Sequence, residues 1–576
     1  MNNLKLLKKK IKEKKIDYYF LSTSDEFLNE YVPEYNMRLK WLTNFSGSNG
    51  AVLISEKENF FFTDGRYLTQ AKKELTKDYD IHDQNIVSII NFIGQKLRNK
   101  KILIDTRLFS TKVLNQIIKI CKILNNKIIH DNENIIDSLW VDRPEEIVKK
   151  FFVLKNKYSG DSYAKKISQV KPLDNSIIIL SSPESICWLL NIRGYDLPNT
   201  PVVFCRMIIT KNKNIIFVNK KKIPPSFFTN YSEIVIRDIC KFNDDIKNIK
   251  NKTIQTDDQI SYFYYDILNK KNNVTIKYDP CNNLKSIKNN IEIKCSKNAH
   301  LNDGIALVKF FYWLEKNIEK KISEFSASKK LYEYRRQNKG FFSESFPTIS
   351  ATGPNGSIIH YKPDVKSSTI KKDQLYLCDS GGQYFGGTTD ITRTIHIGNK
   401  KPAKNYKKLY TKVLMGHIDI SMLRFPLGTT GSQIDTIART NLWSDGLDYN
   451  HGTGHGVGSF LGVHEGPQSI SKNLNKVILK PGMILSNEPG YYENGKFGIR
   501  IENLVIVRKS VHKNFLEFET LSLFPYETKL VDFSLLSLSQ KSWIQKYHSL
   551  IYKRLSPRLD EKYKSWLKNK VSFNIQ

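Results

Sequence analysis

The sequence predicts an α/β (α+β) fold: two N-terminal α/β domains of similar build over 1–146 and 147–290, then a differently patterned third domain over 291–576. Three observations carry that expectation. A weak repeat sets Ser22–Glu26 and Trp41–Gly47 beside Ser181–Ser185 and Trp188–Gly194, with the two tryptophans roughly 150 residues apart, one domain's length. Asp142-Arg143-Pro144-Glu145 breaks the chain between the copies, and the polar stretch Lys271–Asn290 closes the second. Beyond Ile291 the text changes character, and six of the eleven histidines (360, 396, 417, 451, 455, 464) fall within about a hundred residues.

Taken in order, each copy opens with a Lys-rich amphipathic stretch and an apolar run, Tyr18–Leu21 or Ile177–Leu180, and continues into β-rich text, Ala51–Ile54 or Val202–Phe204. The third domain starts on a helical stripe of Ala306, Leu307, Phe310, Phe311 and Leu314. Near the C-terminus Trp543, Ile544, Tyr547, Leu550 and Ile551 repeat the helical spacing within Lys541–Lys570, a packing surface.

With 40% hydrophobic, 12% aromatic and 26% charged residues, the chain lies in the globular range, outside the disordered, collagenous and membrane classes. Its formal net charge is +33, from 90 Lys and Arg against 57 Asp and Glu. A surplus of that size ordinarily signals nucleic acid or an anionic membrane. Here it is carried by Lys more than Arg, is spread along the chain and travels with abundant Ile, Asn and Tyr, as when codons drift toward A and T. Short clusters such as Lys8–Lys10 and Lys220–Lys222 read as solvated faces, so neither nucleic acid nor membrane is expected as a partner. The seven cysteines form no CxxC pair and are odd in number, which argues against a disulfide framework or zinc knuckle. Met1–Lys15 has no apolar signal core and Tyr18–Leu21 is too short to cross a bilayer, so a cytoplasmic protein is expected.

Three segments carry the chemistry. Leu375–Asp379 reads as a buried strand, Ser380–Gly387 as a turn and Thr388–Thr392 as the returning strand, which sets Asp379 opposite Asp390. Asn494-Gly495 is a hairpin signal, and a three-residue loop centred on Gly495 sets Glu488 opposite Glu502. A slip of one residue would turn these faces over. Four acids among Ile499, Ile501, Leu504 and Val505 cost several kcal/mol each unless neutralised, either by divalent cations or by a salt-bridge network through Arg500. The third segment, His451-Gly-Thr-Gly-His455-Gly-Val-Gly458, tips the balance toward metal by offering an imidazole on backbone that glycine lets approach closely. The glycines make a helix improbable there, so His451 and His455 are not a zincin pair. Four carboxylates and one histidine form a hard donor set suited to Mn²⁺ or Co²⁺, and a bridging carboxylate can hold two ions about 3.5–4 Å apart. Gly490–Lys496 imitates a phosphate loop, but Phe497 stands where a hydroxyl is needed.

These segments, in this order, resemble the pita-bread metallopeptidases, and within them the long, three-domain cytosolic aminopeptidase P type. The resemblance spans nearly the whole chain. It includes Phe62–Tyr67, Trp188–Gly194, Gly353–Tyr361 and, most specifically, His451–Pro467 with Val463-His464-Glu465-Gly466. It implies two creatinase-like domains ahead of a pita-bread catalytic domain with a C-terminal extension from about 526 to 576. It also implies a metal-dependent aminopeptidase that releases the first residue from peptides with proline second, by attack of a hydroxide bridging two divalent ions, Mn²⁺ being the expected metal. Asp379, Asp390, His455, Glu488 and Glu502 resemble the family's metal ligands, with Asp390 and Glu502 bridging and Glu488 also accepting the water's proton. His360, His451 and His464 resemble its substrate-orienting histidines, and Arg500 a supporting arginine. The family further implies a homodimer. Two rivals stand beside this reading: a prolidase limited to Xaa-Pro dipeptides, and a non-catalytic pita-bread protein that binds nucleic acid or histones. The three-domain length argues against the first and the complete ligand set against the second.

Overall fold

A computed structural model describes residues 3–573. The chain divides into two compact units, one made of Met1–Leu154, Asp161–Pro198 and Val202–Cys281, the other of Lys155–Gly160, Asn199–Pro201 and Asn282–Gln576.

The first unit opens on α1 (Asn3–Glu13), whose Leu4, Leu7 and Ile11 form the buried stripe of an otherwise lysine-rich helix. Its first sheet comprises β1 (Tyr18–Ser22), β2 (Ala51–Ile54), β3 (Asn59–Thr63), β4 (Asp80–Asp83), β5 (Lys101–Ile104) and β6 (Lys127–His130), in the order β4-β3-β2-β1-β5-β6. The second comprises β7 (Ile177–Leu180), β8 (Cys205–Ile209), β9 (Asn214–Val218), β10 (Ile234–Arg237), β11 (Thr253–Thr256) and β12 (Asn273–Ile276), in the order β10-β9-β8-β7-β11-β12. The two match strand for strand. In each, the first strand is antiparallel to the second and parallel to the fifth, and the second and third are antiparallel. Trp41 lies on α2 (Arg38–Thr43) after β1, and Trp188 on α4 (Pro183–Leu189) after β7, so the faint repeat in the text is a repeated topology. The intervening α3 (Thr111–Ile123) and the later α5 (Phe242–Lys247) and α6 (Tyr262–Asn269) cover these sheets.

One local expectation is corrected. Val202–Phe204 is not strand, because Asp196 holds it: Asp196 N–H donates to Val202 O at 3.1 Å, and Phe204 N–H donates to the Asp196 carboxylate at 2.7 Å. The polar stretch from Lys271 that closes the second copy supplies β12, an edge strand whose half-solvated faces accept polar residues.

The second unit is built on α7 (Asn290–Asn317), started by a capping box between Asn289 and Glu292. Ala306, Leu307, Phe310, Phe311 and Leu314 are all buried on it, the larger ones worth about 1.5–3 kcal/mol each. A three-stranded sheet joins β13 (Phe341–Glu344), β16 (Gly382–Tyr384) and β17 (Gly387–Thr388), and another joins β14 (Ile349–Thr352), β15 (Leu375–Ser380) and β18 (Ile391–His396). The expected turn at Ser380–Gly387 therefore contains β16, which pairs with β13, and the start of β17, which pairs with β16. Past the helix α8 (Lys404–Met422) come β19 (Arg424–Pro426), β20 (Gly454–Gly456), β21 (Glu465–Ile470), β22 (Ile484–Asn487), β23 (Gly490–Glu493), β24 (Phe497–Arg500), β25 (Asn503–Lys509) and β26 (Phe515–Thr520). Six of them form a sheet in the order β19-β26-β25-β22-β20-β21, and β23 and β24 form the hairpin around Gly495. The C-terminal stripe falls on α9 (Leu538–Leu555), with Ile544, Tyr547 and Ile551 buried, and the segment Lys541–Lys570 continues past a break at Pro557 into α10 (Glu561–Val571). No helix among the described residues is long and apolar enough to cross a membrane.

Candidate metal centre

Two sheets bring the acids together. On the first, β15 and β18 pair antiparallel with Asp379 opposite Thr392. The expected register is thus off by two residues: β18 begins at Ile391, and Asp390 sits just before it, on the Asp379 side, because the intervening chain is spent on β16 and β17 rather than on one turn. On the second sheet the expected register holds. The hairpin pairs Gly490 with Arg500, and the same alignment resumes where Asn487 of β22 faces Asn503 of β25. Glu488 and Glu502 occupy the break between these stretches. The two sheets are tied by Glu502 N–H donating to Thr392 O at 3.1 Å and by Thr394 Oγ1 donating to Arg500 O at 3.1 Å.

His455 enters on β20, where glycines are required by space: a Cβ on Gly454 would run into Ser486 O, and one on Gly456 into Glu465 O. The His455 Nδ1–H donates to Gly456 O at 2.9 Å, which leaves Nε2 as the lone-pair nitrogen, 3.6 Å from Asp390 Oδ2 and 3.5 Å from Glu488 Oε1. Ligand atoms of Asp390, His455 and Glu502 all lie within 4.8 Å of one another.

The electrostatics of this cluster are unbalanced. Burial, then the charges of Glu502, Asp379 and Glu488, push the Asp390 carboxyl well above its ordinary value. Burial and the charges of Glu488 and Asp379 do the same to Glu502. Burial lifts Glu488 to about 7, with Arg500 opposing. Arg500 donates to Asp379 Oδ2 at 2.6 Å, so the salt bridge weighed as an alternative to metal does exist. It neutralises one acid of four. Asp379 Oδ1, Asp390 Oδ1 and Glu502 Oε1 remain buried with no hydrogen-bond partner. Orphaned carboxylate oxygens facing a lone-pair nitrogen call for a cation, and their hard oxygen and imidazole donors fit a divalent metal.

The remaining anticipated residues gather around this centre. The His464 ring centroid is 4.4 Å from that of His455. His451 Nδ1–H donates to Gly452 O at 2.8 Å, so its Nε2 accepts from Tyr492 Oη–H at 2.9 Å. Arg500 Nη1–H in turn donates to Tyr492 Oη at 2.6 Å. His360 follows the turn Gly353–Ser357, and its neighbour Ile359 offers its carbonyl to Arg500 Nη2 at 3.4 Å.

Sequence reasoning missed four residues here. Tyr492 links Arg500 to His451. Thr392 Oγ1 donates to Glu502 Oε2 at 2.8 Å, and Ser486 Oγ donates to Glu488 Oε1 at 3.1 Å. Arg393 lies behind Glu502, donating to its carbonyl at 2.6 Å and to Asn503 Oδ1 at 2.8 Å. Their proximity in the text to Asp390, Glu502 and Glu488 was the available signal.

Residues 294–509 match the Metallopeptidase family M24, residues 3–139 and 142–292 each match a Creatinase/Prolidase N-terminal domain, and residues 514–572 match the C-terminal region of peptidase M24. The chain belongs to the M24 metallopeptidase family. Among its relatives it is similar to the "Probable Xaa-Pro aminopeptidase P" of Laccaria bicolor, 37% identical over 98% of this chain and 92% of that one. It is equally similar to the Xaa-Pro aminopeptidase 1 of Dictyostelium discoideum, 37% identical over 97% and 94%. The X-prolyl aminopeptidase of Caenorhabditis elegans, described as a cytosolic enzyme with a di-nuclear active site, superposes with a TM-score of 0.93 at 30% identity, covering 99% of both chains.

Proposed function

We propose that this chain is a metal-dependent aminopeptidase that releases the first residue of peptides whose second residue is proline. The observation that carries the reading is the buried cluster of four carboxylates and one imidazole with three carboxylate oxygens lacking any partner. The full-length likeness to Xaa-Pro aminopeptidases supports the substrate class.

Asp379, Asp390, His455, Glu488 and Glu502 would hold two divalent ions, for which Mn²⁺ suits the donors. When bound, such ions supply Lewis acidity and bring the pKa of water down to about 7. The chain's own residues do the rest. Glu488 accepts the proton of the attacking water. His360, His451 and His464 orient the peptide and stabilise or protonate the tetrahedral species. Arg500 holds Asp379 and, through Tyr492, fixes the His451 ring. Proline suits a dedicated site because its nitrogen carries no proton and its ring fixes φ, which positions it badly in ordinary peptidases.

The domain division at 146/147 and 290/291, with an extension from about 526, a homodimeric assembly and a cytoplasmic location belong to the same proposal. The description of the C. elegans relative as cytosolic supports the location. Light scattering of the purified chain tests the dimer.

The deciding experiment incubates the chain with Mn²⁺ and a peptide beginning Arg-Pro-Pro, alongside the dipeptide Arg-Pro. Release of Arg from the longer peptide is expected. Cleavage of the dipeptide alone would turn the reading into a prolidase, and no release with any divalent ion would end the hydrolytic reading.

A further inference from the structure

The first unit contains a cavity of about 870 Å³ that the peptidase chemistry does not use. One wall is β6 with α3 of the first sheet, the other α5 and α6 of the second. The walls are fastened to each other by backbone bonds: Thr111 N–H donates to Ile260 O at 2.9 Å, Lys112 N–H to Asp258 O at 3.0 Å, and Tyr262 N–H to Phe109 O at 2.9 Å. The volume suits a ligand of drug or cofactor size.

Three features of the lining describe such a ligand. The first is a flat, apolar floor: the His130 and Phe263 rings stack at 5.2 Å and 29°, beside Ile118, Ile128 and Ile267. The second is unbalanced positive charge at the rim. Among the described residues, Lys122, Lys127 and Lys247 have no carboxylate within ion-pair distance, while the lining's carboxylate, Asp266, is taken up by Lys270 at 2.6 Å. The third is an uncommitted donor. The Thr106 N–H donates to His130 Nδ1 at 3.2 Å, so the neutral ring carries its proton on Nε2 as a donor.

A ring to lie on the floor, an acceptor for His130 Nε2–H and anionic groups for the lysines occur together in nucleotides. We propose that this cavity binds a mononucleotide, with its base on the His130 and Phe263 face and its phosphates among Lys122, Lys127 and Lys247. Stacking and charge-assisted contacts of this kind are what hold bases and phosphates elsewhere.

Calorimetry on the full-length chain tests this with ADP, adenosine and inorganic phosphate, together with the variant K127E/K247E. The expected result is that ADP binds, that adenosine and phosphate alone each bind about tenfold or more weakly, and that K127E/K247E weakens ADP by about tenfold or more. Circular dichroism melting checks that the variant stays folded. An ADP affinity unchanged in K127E/K247E places binding elsewhere on the basic surface and overturns the proposal. So does an absence of ADP binding at millimolar concentration, phosphate binding as tight as ADP, or capture of an RNA oligonucleotide by a chain that ignores ADP.

Discussion

Two buried acidic sites in the second unit solve the same problem differently. Glu465 is fully buried on β21, one residue after His464, and its carboxylate meets Lys288 Nζ at 2.5 Å and Lys285 Nζ at 3.2 Å. Burial pushes its pKa up, yet the two lysines more than offset this and hold the carboxyl below its usual value. A few residues away in space, four carboxylates share one arginine, and three of them are driven upward. The fold places lysines beside a buried acid where the acid's task is structural. Where it withholds them, the missing charge has to come from a cation, and that contrast distinguishes the metal reading from a tangle of ion pairs.

The strongest way to break the contrast is Asp390→Asn. Loss of this carboxylate should lower kcat/KM by about 10³-fold or more, some 4 kcal/mol of transition-state stabilisation, with a matching fall in bound metal by elemental analysis. In the metal-free chain the same change removes a repelling charge and should not lower the unfolding midpoint. A near-normal rate with full metal content would contradict the assignment.

Glu465→Gln is the opposite case. It leaves two buried lysines facing each other and should cost about 3–5 kcal/mol of stability, read from the denaturant midpoint with or without metal. Lys285→Met should cost less, because Lys288 still pairs with the carboxylate. If Glu465→Gln were silent and Asp390→Asn destabilised the metal-free chain, the roles given to the two sites would be reversed.

Metal removal sharpens the comparison further. A carboxyl whose pKa is raised by folding ionises first in the unfolded chain, so its contribution favours the fold in acid and declines with rising pH. For Glu488 the decline runs from about 4.5 to about 7. Asp390 and Glu502 act in the same direction. The chelator-treated chain should therefore melt at a lower temperature at pH 8 than at pH 5, and saturating Mn²⁺ should flatten or reverse that slope. A chelated chain with no such slope would mean that the acids are already neutralised by the protein.

How much of this was legible in the text depended on how far apart the partners stood. The Glu488 and Glu502 alignment followed from Gly495 alone, because a tight hairpin fixes register locally, and the observed φ of +72° at Gly495 is the conformation that glycine supplies. The Asp379 register was missed by two residues because β16 and β17 leave the apparent turn to form a sheet in which β16 pairs with β13, a partner some forty residues upstream. The matching N-terminal sheets were visible through two tryptophans and two apolar runs, since each marks the same first strand and helix. Lys285 and Lys288 were unreadable as partners of Glu465, from which about 180 residues separate them: in a chain this rich in lysine, composition gives no sign of which ones are buried.

The smallest expected effect concerns Tyr492. Its hydroxyl accepts from Arg500 and donates to His451 Nε2, so one side chain sets the orientation of an imidazole from the same guanidinium that neutralises Asp379. Burial raises its pKa to about 12 against the pull of Arg500, so the hydroxyl stays protonated and the donor direction toward His451 is fixed across the working pH range. Tyr492→Phe keeps the ring, which contacts His451 edge to face at 5.5 Å, and removes only the polar link. Both Arg500 and His451 retain other partners, so the expected loss is about tenfold in kcat, near 1.4 kcal/mol, with little change in bound metal. If metal content falls together with rate, Tyr492 acts through Arg500 and Asp379. If KM rises while kcat holds, it acts through His451 on the peptide.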